Sequence, residues 1–269
     1  MTALITEYAP IPGFPEYGKL VSKLVFGETL SENVAIVQSL SGTGALRVGG
    51  DFIKHFWPVK TIYIPTPTWP NHNGVFKFSD LQIKQYRYYN PKTIGLDIEG
   101  LLEDLSNAEE GAVALFHACA HNPTGVDPTR EQWKQILEVV QKRNLLVFFD
   151  AAYLGFASGD YDNDAWPIRE FVSKGITILL AVSFAKNMGL YGERAGAFAV
   201  VCGNKEEKDR VVSQLKVVTR AMISSPPIHA AHLVIEILSN EQLKKEWFHE
   251  TKLMADRIMS MSTADLRVR

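Results

Sequence analysis

The residues best suited to chemistry lie in one run, Ser183-Phe184-Ala185-Lys186-Asn187-Met188-Gly189-Leu190-Tyr191-Gly192-Glu193-Arg194. It follows an apolar stretch, residues 176–182, that reads as a fully buried strand. A lysine just past such a strand is placed to be partly desolvated, which lowers its pKa and makes Lys186 a usable amine nucleophile. Arg194, eight residues on, can grip a phosphate or carboxylate with its planar fork. The plainer alternative is a lysine and an arginine on a surface loop. Ser41-Gly42-Thr43-Gly44 offers a second anion site, because a glycine-rich turn opening a helix leaves N–H groups aimed outward and Ser41 and Thr43 add hydroxyl donors. Alone that signal is weak, since it fits neither G-x-x-x-x-G-K-[ST] nor G-x-G-x-x-G.

The elements that must position these groups alternate strand, loop and helix. Strands are expected at 34–40, 61–64, 112–116, 145–149, 176–182 and 197–202, and helices around 19–25, 45–56 and 128–140. Asp127 reads as the N-cap of the last of these, with Pro128 at its first position. Residues 7–18, broken by three prolines, read as irregular, and 65–73 as a loop carrying Trp69, Asn71 and His72. The alternation predicts an α/β fold with an open, mostly parallel sheet flanked by helices. In such sheets ligands sit outside the carboxyl ends of the strands. Trp69, His117, Asn122, Asp150, Tyr153, Ser183 and Lys186 all fall at or just after those ends, which predicts one site assembled from several loops.

Composition narrows the class. The 269 residues are 46% hydrophobic and 22% charged, enough for a large core, and the net charge of −2 gives no basic footprint for nucleic acid. Cys119 and Cys202 are too few for a disulfide framework, which favours a reducing compartment. No apolar run approaches the ~20 residues of a membrane span, and residues 1–7 lack the basic start of a signal or transit peptide. After 205 the pattern changes to helices at 205–220, 230–238 and 241–261. Trp247, Met254, Ile258 and Met261 mark an apolar stripe there with no following strand to cover it. The chain is expected to end at Arg269 in mid-architecture.

A phosphate cradle, a flat aromatic, a strand-end carboxylate, a tyrosine and a lysine together point to pyridoxal phosphate. Its aldehyde needs a lysine for a Schiff base, and its ring nitrogen needs an acid partner, a role that suits Asp150. Tyr153 is placed to donate to the ring's phenolic oxygen. The alternation of His117, Cys119 and His121 raises zinc as an alternative, but a clear fourth ligand is missing and Asn122-Pro123-Thr124-Gly125 reads as a turn, so no metal is expected.

Four segments then carry a family resemblance: residues 183–194, residues 117–125, Pro67-Thr68-Trp69-Pro70-Asn71-His72 and Phe149-Asp150-Ala151-Ala152-Tyr153. Together they resemble the aspartate aminotransferases of the fold type I pyridoxal-phosphate enzymes, over essentially the whole chain. Met188-Gly189, residues 191–196 and residues 87–93 lean toward the mitochondrial form, which implies the mitochondrial matrix, with the cytoplasm as alternative. The resemblance implies a large domain over 1–240, without an N-terminal arm, and an interdomain helix over 241–269 leading to a small domain that the chain does not include.

Residue by residue, the resemblance implies that Lys186 is the Schiff-base and proton-shuttle residue. Ser41, Gly42, Thr43, Ser183 and Arg194 would hold the cofactor phosphate, and Trp69 would stack on the ring. Asn122 and Tyr153 would bond its phenolic oxygen, Asp150 would pair with its nitrogen, and His117, set behind the residues that meet the cofactor, would orient Asp150. A homodimer with shared active sites is implied, in which Tyr8 reaches the other subunit's phosphate. Arg220 would bind the substrate's distal carboxylate across the interface, with Trp69 and Asn122 also meeting substrate. The implied reaction is amino transfer between L-aspartate and 2-oxoglutarate. The alternative is a truncated, non-catalytic product that keeps cofactor binding or dimerisation only. A third reading, a fold type I enzyme with another substrate, is opposed by Arg220. The family's arginine for the substrate α-carboxylate lies in the small domain, and Arg267 and Arg269 are not that residue. Leu154 stands where glutamine is usual, and Ser225 where asparagine is usual.

Overall fold

A computed structural model describes the backbone of residues 7–266 and side chains of 7–261. The N-terminal stretch read for a targeting signal falls mostly outside the described residues, as do Arg267 and Arg269. Within them the chain runs α1 (Pro15–Leu30), β1 (Val34–Leu40), α2 (Ser41–Phe56), β2 (Thr61–Thr66), α3 (Asn71–Phe78) and β3 (Gln82–Arg87). A short antiparallel pair, β4 (Tyr89–Asn90) and β5 (Gly95–Leu96), precedes α4 (Ile98–Ser106). Then come β6 (Val113–His117), α5 (Arg130–Lys142), β7 (Leu146–Ala151), α6 (Tyr161–Asp164), α7 (Trp166–Ser173), β8 (Ile178–Ser183) and β9 (Ala195–Val201). Helices α8 (Lys205–Ile223), α9 (His229–Ser239) and α10 (Glu241–Leu266) close the order.

The main sheet has the order β1-β9-β8-β7-β6-β2-β3. Only β9 runs antiparallel to its neighbours; every other adjacent pair is parallel. Period-two alternation divides the buried strand residues between two cores. Ile62, Leu115, Phe148, Leu179 and Phe198 face α2, α3 and α8. Phe116, Phe149, Leu180 and Val182 face α1, α4, α5, α7 and α9. The result is three layers, helix–sheet–helix, with every strand of the main sheet but the edge strand β3 buried on both faces. Chain order reverses at β2 and β6, which opens a crevice at the carboxyl ends of the strands.

Several expectations need correction. Residues 65–73 are not all loop: α3 begins at Asn71, so His72 sits in a helical first turn. The N-cap of α5 is Thr129, whose hydroxyl accepts from Gln132 N while the Gln132 side chain accepts from Thr129 N, a reciprocal capping box. Asp127 instead turns back to accept from the amides of Ala120 and His121, at 2.6 and 2.9 Å. Strand β6 ends at His117, so the alternation through Cys119 and His121 is not a strand face. The apolar stripe of α10 is divided: Trp247 is buried, whereas Met254, Ile258 and Met261 are exposed.

Candidate active site

Strand β1 passes into α2 without a linker. Ser41, the first residue of the helix, takes the left-handed conformation (φ 59°), as does Arg194 at the edge of β9 (φ 57°). Such backbone is strained for residues with a Cβ and persists where the surroundings hold it. Here each holds the other: Ser41 N donates to Arg194 O at 3.0 Å. Gly196 permits this approach, because a Cβ there would stand 2.6 Å from both the Ser41 carbonyl carbon and the Val182 oxygen.

The first turn of α2 has no acidic residue and no side-chain cap, so its free amides and the positive end of the helix dipole face outward. Ser41 Oγ and Ser183 Oγ lie 2.8 Å apart, joining the helix start to the end of β8. Gly42 packs against Ser183, where a Cβ would come within 3.2 Å of the serine's own. Arg194 completes the cradle on the solvent side, with Nη1 donating to Tyr191 O at 3.0 Å. Free amides, hydroxyls and a guanidinium with no anionic partner among the described residues suit the binding of a dianion.

Asp150 is buried at the end of β7. His72 donates to its Oδ2 through Nε2 at 3.0 Å, while Oδ1 has no hydrogen-bond partner among the described residues and the residue lines the cavity. Burial alone would raise the Asp150 pKa, but His72, with help from His117 and Lys186, outweighs it and holds the group below the usual carboxylate range. The Thr68 hydroxyl bridges His72 Nδ1 (2.8 Å) and His117 Nε2 (3.1 Å). His72, turned under the carboxylate by helix α3, is the histidine hydrogen-bonded to Asp150. His117, paired opposite Asp150 across β6 and β7, joins the same network through Thr68. Burial pushes His117 down to about 4 against the pull of Asp150, and His121 down to about 3.

Half-buried Lys186 follows β8 by a few residues, its Nζ 5.2 Å from the centre of the Tyr153 ring. Burial raises the pKa of the Tyr153 hydroxyl, Asp150 and Tyr191 add to this, and a hydrogen bond with Asn122 opposes it. One cavity gathers Ser41, Gly42, Thr43, Trp69, His117, Asn122, Asp150, Tyr153, Ser183, Lys186 and Arg194, together with Leu46 and Ala152. Tyr8 and Arg220 are not among its lining residues: Tyr8 is 91% exposed, and Arg220 lies exposed in the last turn of α8. His72 was missed as a functional residue; its spacing of four from Thr68, just before Val75 and Phe76, was the available signal.

An amine, a carboxylate without a partner on one oxygen, a tyrosine and an anion cradle converge on a slot flanked by an indole. The sequence pattern of the family described as Aminotransferase class I and II matches residues 2–264. The chain belongs to that family. It is 55% identical over 261 residues to the cytoplasmic aspartate aminotransferase of Oryza sativa subsp. japonica, covering 96% of this chain and 64% of that one. It is 51% identical over 262 residues to the mitochondrial aspartate aminotransferase of Gallus gallus, covering 96% and 62%. The crystal structure of the aromatic-amino-acid aminotransferase from Burkholderia pseudomallei, covalently bound to pyridoxal phosphate, superposes with a TM-score of 0.94 at 39% identity, covering 96% of this chain and 66% of that one. The chain thus has the fold type I α/β architecture of a pyridoxal-phosphate-dependent family. It spans somewhat under two thirds of the length of the curated relatives quoted. Relatives from both compartments match at similar identity, so the match carries the family and not the mitochondrial assignment.

Proposed function

We propose that this chain binds pyridoxal phosphate through Lys186 and transfers the amino group between L-aspartate and 2-oxoglutarate. The observation that carries the reading is the convergence of Lys186, Asp150 and Tyr153 beside the Ser41–Ser183–Arg194 cradle. The residues fit the cofactor: the cradle matches a phosphate dianion, the unpartnered Oδ1 of Asp150 matches a protonated ring nitrogen, and Asn122 and Tyr153 match a phenolic oxygen. Bound pyridoxal phosphate supplies an aldehyde that condenses with an amine and a ring that withdraws electrons from the adjoining carbon.

The chain's own residues do the rest. Asp150 stays ionised because His72 keeps its proton on Nε2, facing the carboxylate. A buried anion there stabilises positive charge on the ring nitrogen. Trp69 covers one face of the slot and limits water. With the cofactor held there, the Lys186 amine would be the base that takes and returns the proton of the substrate α-carbon. Tyr153, whose pKa burial raises, would donate its hydroxyl proton rather than ionise.

The substrate and assembly belong to the same proposal. The chain works as a homodimer in which Tyr8 and Arg220 serve the partner's site. Both are exposed, and Arg220 has no ion-pair partner among the described residues. A fixed guanidinium favours four- and five-carbon dicarboxylic amino acids over neutral ones. Residues 1–240 act as the cofactor-binding domain, with 241–269 leading out of it. The test is to add aspartate to the chain loaded with pyridoxal phosphate and follow the visible spectrum and oxaloacetate. Bleaching with stoichiometric oxaloacetate is expected. A loaded spectrum that aspartate leaves unchanged would refute amino transfer by this chain and favour cofactor binding alone.

A further inference from the structure

Lys186 projects from a tight turn, and that turn is held from behind by the last helix. On its leading side the backbone is fixed by β8, by Phe184 N donating to Ala195 O at 3.0 Å, and by Ala185 N donating to Ser183 Oγ at 3.2 Å. Gly189 N closes the turn on Lys186 O at 3.0 Å. On its trailing side Asn187 is 2% exposed. The Asn187 carbonyl accepts from Trp247 Nε1 at 2.6 Å and from Thr251 Oγ1 at 3.4 Å, both on α10. Asn187 Nδ2 donates to Leu154 O at 3.1 Å, which ties the same turn to the segment following Tyr153.

The seat of α10 is built for this contact. The Trp247 indole is buried, stacked on Phe248 at 4.9 Å and packed against Tyr161 at 5.8 Å. Gly155 allows the close approach, because a Cβ there would lie 2.8 Å from Thr251 Cγ2. We propose that Trp247 is a positioning residue for Lys186, acting through the Asn187 carbonyl so that the seat of α10 fixes the turn from which the reactive amine projects.

The physical argument concerns preorganisation. A lysine stem is flexible, so the placement of its amine is set by how rigidly its backbone is held. Without the indole the buried Asn187 carbonyl keeps only the longer 3.4 Å contact from Thr251, and the turn would shift or admit water to make up the lost bond. The ordering that Trp247 provides in advance would then be subtracted from the free energy of joining Lys186 to the cofactor. A ligand that fills the same pocket without bonding to Lys186 would be indifferent.

This inference rests on the cofactor reading, and two ligands separate the two. Dissociation constants for pyridoxal phosphate and pyridoxamine phosphate, which has an amine in place of the aldehyde and cannot join Lys186, are measured on the wild type, Trp247→Phe and Thr251→Val. Trp247→Phe should weaken pyridoxal phosphate by about three- to tenfold, the range of one hydrogen bond, and leave pyridoxamine phosphate within about twofold. Thr251→Val should move the same ratio less, and it carries the test if the tryptophan variant does not fold. Equal losses for both ligands would mean a merely structural tryptophan and overturn the inference, as would unchanged affinity for pyridoxal phosphate. A wild-type chain that binds neither ligand would refute the cofactor reading and this inference with it.

Discussion

At the scale of single residues the site is governed by which groups keep their charge when buried. Asp150 remains a carboxylate because His72 donates to it, and His117 and His121 remain neutral because burial disfavours the imidazolium. The histidines make a pH prediction. With the folded-state pKa depressed, the unfolded chain binds the proton first, so stability is full above about pH 6.5 and falls as pH drops toward 4. His117→Gln should therefore shrink the stability difference between pH 7 and pH 5 by about 2 kcal/mol, read by urea unfolding; an unchanged difference would show that His117 is charged in the fold. His72→Phe should weaken pyridoxal phosphate binding, because Asp150 would lose the one side-chain donor it has among the described residues. That Lys186, Asp150 and Tyr153 meet in one cavity was legible in the sequence because each falls at or just after a strand end. The role of His72 was not, because Pro70 and Gly74 around it read as loop and hide a two-turn helix.

At the scale of elements, the parallel strands bring the site together and the close packing of backbone shapes it. Six strands of the main sheet were legible as apolar runs, since burial on both faces leaves no polar alternation to confuse them; β3, a polar and mostly exposed edge strand, was not. The order of the strands, with β9 antiparallel between β1 and β8, was not, because period and composition say nothing of pairing. The helix start at Thr129 was available from Thr129-x-x-Gln132, yet Asp127-Pro128 competes with it as an equally plausible start. Gly196 carries the sharpest prediction at this scale. A Cβ there meets backbone of Ser41 and β8 rather than a movable side chain, so Gly196→Ala should destabilise the chain by about 1–3 kcal/mol and open the Ser41–Ser183 cradle. Thermal unfolding and the affinity for inorganic phosphate together check it; full stability with unchanged phosphate binding would contradict the packing account.

At the scale of the molecule, Tyr8 and Arg220 lie outside the cavity of their own chain, which is what a site shared across a dimer requires. Mixing a Lys186→Ala chain with an Arg220→Ala chain should restore aspartate turnover that neither shows alone, since one of the two sites in a mixed dimer would then hold both native residues. No recovery in a proven mixed dimer would place Arg220 in its own chain's chemistry or in none. Specificity belongs to this scale too: Arg220→Ala should depress aspartate turnover far more than that of an aromatic amino acid. Lys186 as the covalent anchor of the cofactor underlies each of these roles. The chain is loaded with pyridoxal phosphate, reduced with borohydride and mapped by mass spectrometry, with Lys186→Ala in parallel. The label is predicted on Lys186 and absent from the variant; a label on another lysine, or one that survives Lys186→Ala undiminished, would contradict it.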